Sequence, residues 1–444
     1  MDIVFNKEGT PIAFAGKTAV GFTQPQKLQP EAKEAADYTF TFKNIDFVSW
    51  GNNNYFPDEA DSTIRKTGVL NTGLAYKSRV GIGQGCMPVN ITGYDNDNNE
   101  ILQVVDNPEL IGFLNDYVFR GYHAAAFRDL FKFGNVFPVF VFNADYNKIL
   151  RVEARNARHC RLSKDKTKML VYGNFKNGNP SDSNRDWQLY DLLDEADPFT
   201  HLENLRADNK LQGKNIAFPR IKNFFSNNDY YGSADWQPAF ESGWIDIALQ
   251  IPKFLKKAYS NAMHLKWHIR IPYSYWEKQF PVRDFSSTEE RKAKIEEYMN
   301  KLEDDLTGEE NADKAIISQF NVNEMGKAEE KWDFERLDSK INVDEKLATS
   351  AAANSEILFS LMVNPSVLGA GMPGGPYAGN AGSGSDIREG LTTSILLSHI
   401  EKQQVLDPVE LMLRFNGYKD IQIKYRNTVL TTLNTGKSTQ TNLE

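Results

Sequence analysis

The sequence predicts an α+β protein, and three observations carry that reading. Up to about Tyr230, short runs alternate between apolar and polar positions at the two-residue period of strands. From Asp235 onward, apolar residues recur instead at spacings of three and four, the period of a helix face. Between two of those helices lies Asn364–Asp386, "NPSVLGAGMPGGPYAGNAGSGSD", with seven glycines, three prolines and no charge before Asp386. Loops of that length in compact proteins are functional or disordered.

The elements follow in order. "YTFTFKNIDFVSW" holds short strand-like runs. A helix is expected over Asp61–Val80, with Asp61 as its cap, Ile64, Val69, Leu70, Leu74 and Tyr76 along one side, and "GIGQG" at its end. "MPVNITGYDNDNNEILQVV" reads as a hairpin with a polar turn. Asn107-Pro108 opens a helix that runs into "AAAFRDLFKFGN". "VFPVFVFNADYNKILRVEARNARHCRL" and "KMLVYGNFKNG" alternate like paired strands.

The strongest helical pattern spans Asp235–Met263. Trp236, Phe240, Trp244, Ile247, Ala248, Ile251, Leu255 and Ala258 form one apolar face, and Pro252 is expected to kink it. "HIRIPYSYW" looks extended. A helix over Ser287–Leu306 opens with the capping-box pattern "SSTEE" and stops at Gly308. "KAIISQFNVNEMGKAEEKWDFERL" reads as two strands around a turn at Met325-Gly326. The helix over Asp344–Val363 has a small side, Ala348, Ala351 and Ala352, and ends at Asn364-Pro365. After the glycine stretch a helix runs from Asp386 to about Leu406, with Glu389 placed as in a capping box and Pro408 as its boundary. "IQIKYRN" is a late strand, and the tail from Thr428 is polar and expected to be loose. There is no internal repeat.

The chain has 444 residues, more than one core normally holds. Its 41% hydrophobic and 25% charged content is that of a folded protein. A net charge of −8 argues against tight gripping of phosphates by the chain as a whole. The two cysteines, Cys86 and Cys160, form neither a disulfide framework nor a metal box and fit a reducing compartment. The start lacks the apolar stretch of a secretory signal, and no run approaches the ~18 apolar residues of a membrane span. The expectation is a soluble protein, made in the cytoplasm, with no membrane contact.

Motif searches end in the blander reading. "GAGMPG", Gly369–Gly374, matches G-x-G-x-x-G, but a helix precedes it, Pro373 and Pro376 block a following helix, and no Gly-Lys-Ser/Thr follows. In "HLKWH" the residue after His264 is Leu265, where a zinc protease needs glutamate. "DNDNNE" has Glu100 and Asp106 where a calcium loop needs Gly and Glu, so a hairpin turn is the better reading. His159-Cys160 lacks partners at ligand spacing, no G-x-S-x-G is present, and no carboxylates stand out as a pair. The chain is therefore expected not to be an enzyme and to use no cofactor or metal. One basic cluster remains: Lys253, Lys256, Lys257, His264, Lys266, His268 and Arg270, interleaved with Tyr259 and Trp267. It reads either as cations suiting a helix C-terminus or as a local surface for phosphates.

The order of these parts resembles that of a bacteriophage portal protein of the smaller kind found in tailed phages and prophages. A mixed domain leads through "YYGSADWQPAF" into a long helix, then a strand-helix-strand insert, a returning helix, "NPSVLGAG", a long loop, and "GSDIREGL" opening the next helix. "FVSWGNNNYFPDE", "GIGQG" and "FKFGNVFPVFVF" add to the resemblance, which spans about Phe47–Asn416. Portal proteins form rings, commonly of twelve subunits, at one capsid vertex of the virion, after assembly in the host cytoplasm. Double-stranded DNA is packaged and ejected through the ring without sequence preference. The resemblance implies terminase large subunit, head-completion or adaptor proteins, and capsid and scaffold proteins as partners.

Mapped onto this chain, the resemblance implies a mixed α/β wing over 1–233 and a first stem helix over 234–263. It implies a small α/β clip with flanking strands over 264–343 and a second stem helix over 344–363. A flexible tunnel loop would cover 364–385, a wing helix and C-terminal part 386–427, and a reduced crown or loose tail 428–444. Gly369, Gly371, Met372, Gly374, Gly375, Tyr377, Asn380 and Ser383 would line the DNA channel, and Lys253, Lys256, Lys257, Lys266 and Arg270 are candidates for its basic lining. An uncharged glycine loop suits that place: glycine supplies backbone freedom, and the absence of charge avoids holding phosphates. Some relatives carry charged tunnel loops; this one does not. Rival readings are a monomeric polymer-binding protein, for example carbohydrate-binding, built on the aromatics and asparagines, and a nucleotide-binding enzyme built on "GAGMPG".

Overall fold

The chain opens on a three-stranded antiparallel meander, β1 (Asp2–Phe5), β2 (Pro11–Ala15) and β3 (Thr18–Gly21). The computed structural model describes residues 2–5, 11–15, 18–21, 38–96, 100–181, 186–264, 267–307, 321–322, 328–329, 333–336, 343–368, 384–419 and 421–427. A hairpin follows, β4 (Thr39–Phe42) and β5 (Ile45–Val48). Its loop is Lys43-Asn44, both at positive φ, the twist that two-residue hairpins require.

One helix was expected over Asp61–Val80, and the structure has two, α1 (Phe56–Lys66) and α2 (Gly68–Ile82). Pro57 in the first turn starts α1 earlier, and Thr67 is extended and breaks the pair. Asp61 is thus inside α1 and not its cap. The hairpin of β6 (Cys86–Tyr94) and β7 (Glu100–Val104) forms as expected. The next helix also divides, into α3 (Pro108–Leu114) and α4 (Tyr117–Phe133). Asn107 caps the first, accepting from Glu109 N at 3.0 Å; Asp116 caps the second, accepting from Val118 N at 3.0 Å.

Strands β8 (Asn135–Phe142), β9 (Ile149–Arg155), β10 (Cys160–Leu162), β11 (Lys168–Tyr172) and β12 (Trp187–Leu192) follow. Then come helix α5 (Pro198–Ala207) and the short strands β13 (Ile216–Ala217) and β14 (Ile221–Lys222). They build a seven-stranded sheet in the order β10-β11-β12-β13-β8-β14, with β9 on the other side of β8. The apolar run of β8 is its buried centre. Pro138 sits in that centre because its carbonyl accepts from Phe218 N at 3.0 Å, so its missing donor faces the same side, where the partner divides into β13 and β14.

The helix expected over Asp235–Met263 is a short α6 (Gln237–Glu241) and a long α7 (Trp244–His264). Gly243, at φ 84°, separates them, a backbone conformation only glycine adopts freely. Pro252 lies inside α7. Of "HIRIPYSYW", only β15 (Trp267–Arg270) is extended; α8 (Tyr273–Gln279) begins after Pro272. α9 (Thr288–Thr307) starts at the serines, with Ser287 Oγ accepting from Glu290 N and Glu290 Oε2 accepting from Ser286 N, both at 3.1 Å. β16 (Asn321–Val322) pairs with β17 (Ala328–Glu329), while β18 (Asp333–Arg336) pairs antiparallel with β15. α10 (Val343–Ser360) packs against α7. It closes in a Schellman turn: Met362, at φ 55°, donates to Phe359 O at 2.9 Å, and Val363 donates to Leu358 O at 3.0 Å.

The helix expected over Asp386–Leu406 is α11 (Gly384–Leu397) and α12 (His399–Phe415), divided at Ser398. Pro408 is inside α12 and does not bound it. The buried face of Val405, Leu406, Val409, Leu411, Met412 and Leu413 outweighs the lost helical bond. Strand β19 (Gln422–Tyr425) then pairs antiparallel with β6.

These elements form two units, Met1–Gln237 with Ile387–Glu444, and Pro238–Asp386. In the first, α4 packs on β8 and β9, and α2 and α12 pack on α4. In the second, the α7–α10 pair is joined by the β15–β18 ribbon and the α8–α9 helices. Among the described residues, no helix is long and apolar enough to cross a membrane.

Candidate functional site

In the first unit, segments far apart in sequence converge where the chain approaches α6. Tyr231 stacks on Trp50, donates its hydroxyl proton to Val48 O at 2.7 Å and accepts from Leu162 N at 3.1 Å. Asn135 and Gly232 exchange two hydrogen bonds, at 2.8 and 2.7 Å. A Cβ on Gly232 would stand 2.6 Å from Gly134 O, and one on Gly134 would stand 2.6 Å from the Ser233 carbonyl carbon, so the two backbones touch. Trp236 Nε1 donates to Lys132 O at 2.9 Å, and Asp235 pairs with Lys77 at 2.6 Å. "FVSWGNNNYFPDE", "FKFGNVFPVFVF" and "YYGSADW" are therefore one joint. "GIGQG" grips the last strand, with Gln84 N donating to Arg426 O at 2.9 Å and Arg426 N to Gly85 O at 2.8 Å.

Beneath this joint lies Arg161, buried and ion-paired with no carboxylate among the described residues. Its guanidinium donates to Asn54 Oδ1, to Asn54 O at 2.9 Å, to Cys160 O at 2.8 Å and to Arg158 O at 3.0 Å. It lies 4.1 Å from the Phe175 ring centroid. Burial lowers its pKa to about 10. Beside it, Asp61 meets Lys132 at 3.1 Å and Arg158 at 3.3 Å, and also bonds Arg65. Sequence reading passed over Arg161; the only available signal was the Arg158/Arg161 spacing in "RNARHCRL".

In the second unit, Lys253, Lys256 and Lys257 are exposed on α7, at spacings that share one helix face. Ile245 and Ile251 form the buried side of α7, and Ala351, Ala353, Ile357 and Leu358 that of α10. Lys346 of α10, not singled out from sequence, sits 5.8 Å from the Phe254 ring centroid. Arg270 on β15 is ion-paired with Asp333 at 3.0 Å. His264 ends α7 and His268 lies in β15, so the two do not share a helix. Lys266 lies outside the described residues, as do Gly369, Gly371, Met372, Gly374, Gly375, Tyr377, Asn380 and Ser383, Gly308, Met325-Gly326 and the tail from Thr428.

Three buried titratable groups of the first unit are held in unreactive forms. Burial pushes the Cys86 thiol up to about 12 and the Cys160 thiol higher still, so neither supplies a thiolate at neutral pH. Burial takes His123 down to about 3, leaving it neutral. Among the described residues, no group of three or more His, Cys, Asp or Glu is placed to hold a metal ion.

No protein-family model matches this sequence. No curated protein matches it either. Solved structures do. A chain in the neck of an empty gene transfer agent (GTA) particle, computed with C6 symmetry, aligns at a TM-score of 0.51 and 13% identity, over 88% of this chain and 86% of that one. The fold is similar to that of a GTA neck chain. A chain from the virion of a native GTA particle aligns at a TM-score of 0.50 and 14% identity, over 83% of each chain. The neck-like fold covers nearly the whole molecule, which identity at this level does not announce.

Proposed function

We propose that this chain is the portal subunit of a phage-type particle. It forms the ring at one capsid vertex through which double-stranded DNA is packaged and ejected, and it docks terminase and head-tail connector proteins. The observation that carries this reading is the likeness to a GTA neck chain over 88% of the sequence. That neck was computed with C6 symmetry, an arrangement of repeated copies, and we assign the same kind of closed ring to this chain. The α7–α10 pair suits a stem, with a buried side toward its partner helix and the lysine row of α7 facing outward. An exposed row of that kind interacts with passing phosphates without base readout. Guiding DNA needs no catalytic residue here, so the subunit acts as a channel and not as an enzyme. Its place is the virion, with assembly in the host cytoplasm.

The test is the mass of the purified full-length protein in solution, paired with negative-stain images. Rings with a central hole, of roughly ten or more chains, support the reading. A chain that stays monomeric at every concentration, and also in the presence of its scaffold protein, overturns it.

A further inference from the structure

The sequence contains two Asn-Gly steps, Asn177-Gly178 and Asn416-Gly417. An asparagine side-chain amide beside glycine is open to attack by the glycine's backbone nitrogen, because no Cβ stands in the way. The structure treats the two steps differently. Asn416 follows the last turn of α12, and one backbone unit holds both ends of its amide. Its Oδ1 accepts from Ile149 N at 2.9 Å, and its Nδ2 donates to Ile149 O at 2.8 Å. Turning that amide toward Gly417 breaks both bonds. Asn177 is exposed at the end of a single 3-10 turn, Phe175–Asn177, and its Nδ2 donates to Oδ1 of the exposed Asn174 at 2.8 Å. The two glycine nitrogens are engaged alike, Gly178 N with Phe175 O at 3.0 Å and Gly417 N with Arg414 O at 3.1 Å. The side chains make the difference.

Asn177 also lies between two anchored residues. Phe175 is buried, with the Arg161 guanidinium 4.1 Å from its ring centroid. Asn179 Oδ1 accepts from Asn54 Nδ2 at 2.8 Å. Asn54 is buried, and its Oδ1 accepts from Trp50 N at 3.0 Å and from Arg161 Nε. The turn is therefore pinned to the Arg161 site at both ends.

We propose that Asn177-Gly178 is a site of spontaneous backbone modification that loosens the Arg161 site as the protein ages. Hydroxide removes the Gly178 amide proton, and the nitrogen attacks Asn177 Cγ. The Cγ–Nδ2 bond breaks, and ammonia leaves with a proton from water, which restores the hydroxide. Water then opens the resulting succinimide at one of its two carbonyls. Attack at Cγ gives aspartate. Attack at the Asn177 main-chain carbonyl breaks the original peptide bond and leaves the chain running through Cγ, as isoaspartate. The net change is amide plus water to carboxylate plus ammonia, with no oxidant or reductant. Isoaspartate adds a carbon to the backbone between Phe175 and Asn179. With Phe175 held in the core, Asn179 is displaced from Asn54, and a buried donor loses its partner.

The experiment ages the full chain at mildly alkaline pH and maps its peptides by mass spectrometry. Each conversion adds about 1 Da, and electron-transfer fragmentation separates isoaspartate from aspartate. In the folded protein, conversion at Asn177 is expected to run at least about tenfold faster than at Asn416, and in urea at a comparable rate at both. Asn177→Gln, at an exposed position, stops the change there and leaves the starting melting temperature unaltered. The aged parent melts lower, aged Asn177→Gln does not, and fresh Asn179→Ala reproduces the drop. Equal rates at the two steps in the folded protein, or protection of Asn177, overturn the assignment of the site. Conversion at Asn177 with an unchanged melting temperature, or an Asn179→Ala variant as stable as the parent, overturns its effect on Arg161.

Discussion

Tyr231 lies flat on Trp50, with ring centroids 4.4 Å apart and planes 6° from parallel. The same tyrosine bridges two backbone groups through its hydroxyl. Tyr231→Phe leaves Val48 O and Leu162 N without that partner and is expected to cost about 1–3 kcal/mol. Tyr231→Ala also opens a cavity, for a loss of about 3–5 kcal/mol. Urea unfolding midpoints of the two variants, compared with the parent, check the order.

Gly134 and Gly232 have no room for a methyl group, because each Cβ would meet backbone at 2.6 Å. Gly134→Ala and Gly232→Ala are each expected to cost at least about 1–3 kcal/mol, since backbone cannot move aside cheaply. Gly121, exposed in the middle of α4 with open space around it, is the control. Gly121→Ala is expected to stabilise by about 0.5–1 kcal/mol. Thermal melts of the three variants show whether the signs differ as stated.

Burial pushes the Asp61 carboxyl up, but hydrogen bonding to Lys132 and the charges of Lys132, Arg65 and Arg158 outweigh it and hold its pKa below the usual range. A carboxyl depressed in the fold contributes stability above its unfolded pKa of about 3.9 and loses it as pH falls through the folded value. Asp61→Asn is therefore expected to be less stable than the parent at pH 7, with the gap narrowing below about pH 4. Unfolding midpoints at pH 7 and pH 3 test this; a constant gap counts against the assignment.

Met362 occupies the left-handed position of a Schellman turn, where glycine carries no steric penalty. Its side chain is largely exposed, so little packing is lost on its removal. Met362→Gly is expected to raise stability by up to about 1 kcal/mol, and Met362→Val to lower it. A melting curve that falls for both variants would place the methionine in a packing role instead.

If the chain is a portal subunit, replacing Gly374 to Gly384 with a short linker is expected to leave ring assembly intact and to impair DNA packaging. Replacing Lys253, Lys256 and Lys257 with glutamine is expected to change stability by less than about 0.5 kcal/mol, since all three are exposed. Its effect belongs in the salt dependence of DNA passage. Packaging assays with assembled particles check both; normal packaging after the loop replacement counts against the tunnel-loop assignment.

Periodicity made the α+β class and most long elements legible, because burying one face imposes a repeat on the residues. It did not show the breaks at Thr67, Asn115-Asp116, Gly243 and Ser398, where an apolar face continues across a change of direction. Pro408 misled for the opposite reason: local propensity favours a stop there, and the buried face of α12 overrides it. The stretches "FVSWGNNN", "FKFGN" and "YYGSADW" were visible as strings, but nothing in one sequence announces that Trp50 meets Tyr231 or that Gly134 meets Gly232. The lysine row on α7 was legible because exposure follows charge. Lys346 over Phe254 was not, because that contact joins two helices distant in sequence.

The pairing of β19 with β6 has a consequence for how the polypeptide is made. The third strand of that sheet emerges from the ribosome only after the whole of Pro238–Asp386 has been synthesised. At translation rates of ~5–20 residues per second, β6 waits tens of seconds with one edge open. The buried helix α12 arrives equally late. The first unit therefore cannot finish folding before Pro238–Asp386 has been made, and a nascent chain stalled before Gln422 presents an unpaired strand edge to every other nascent chain nearby.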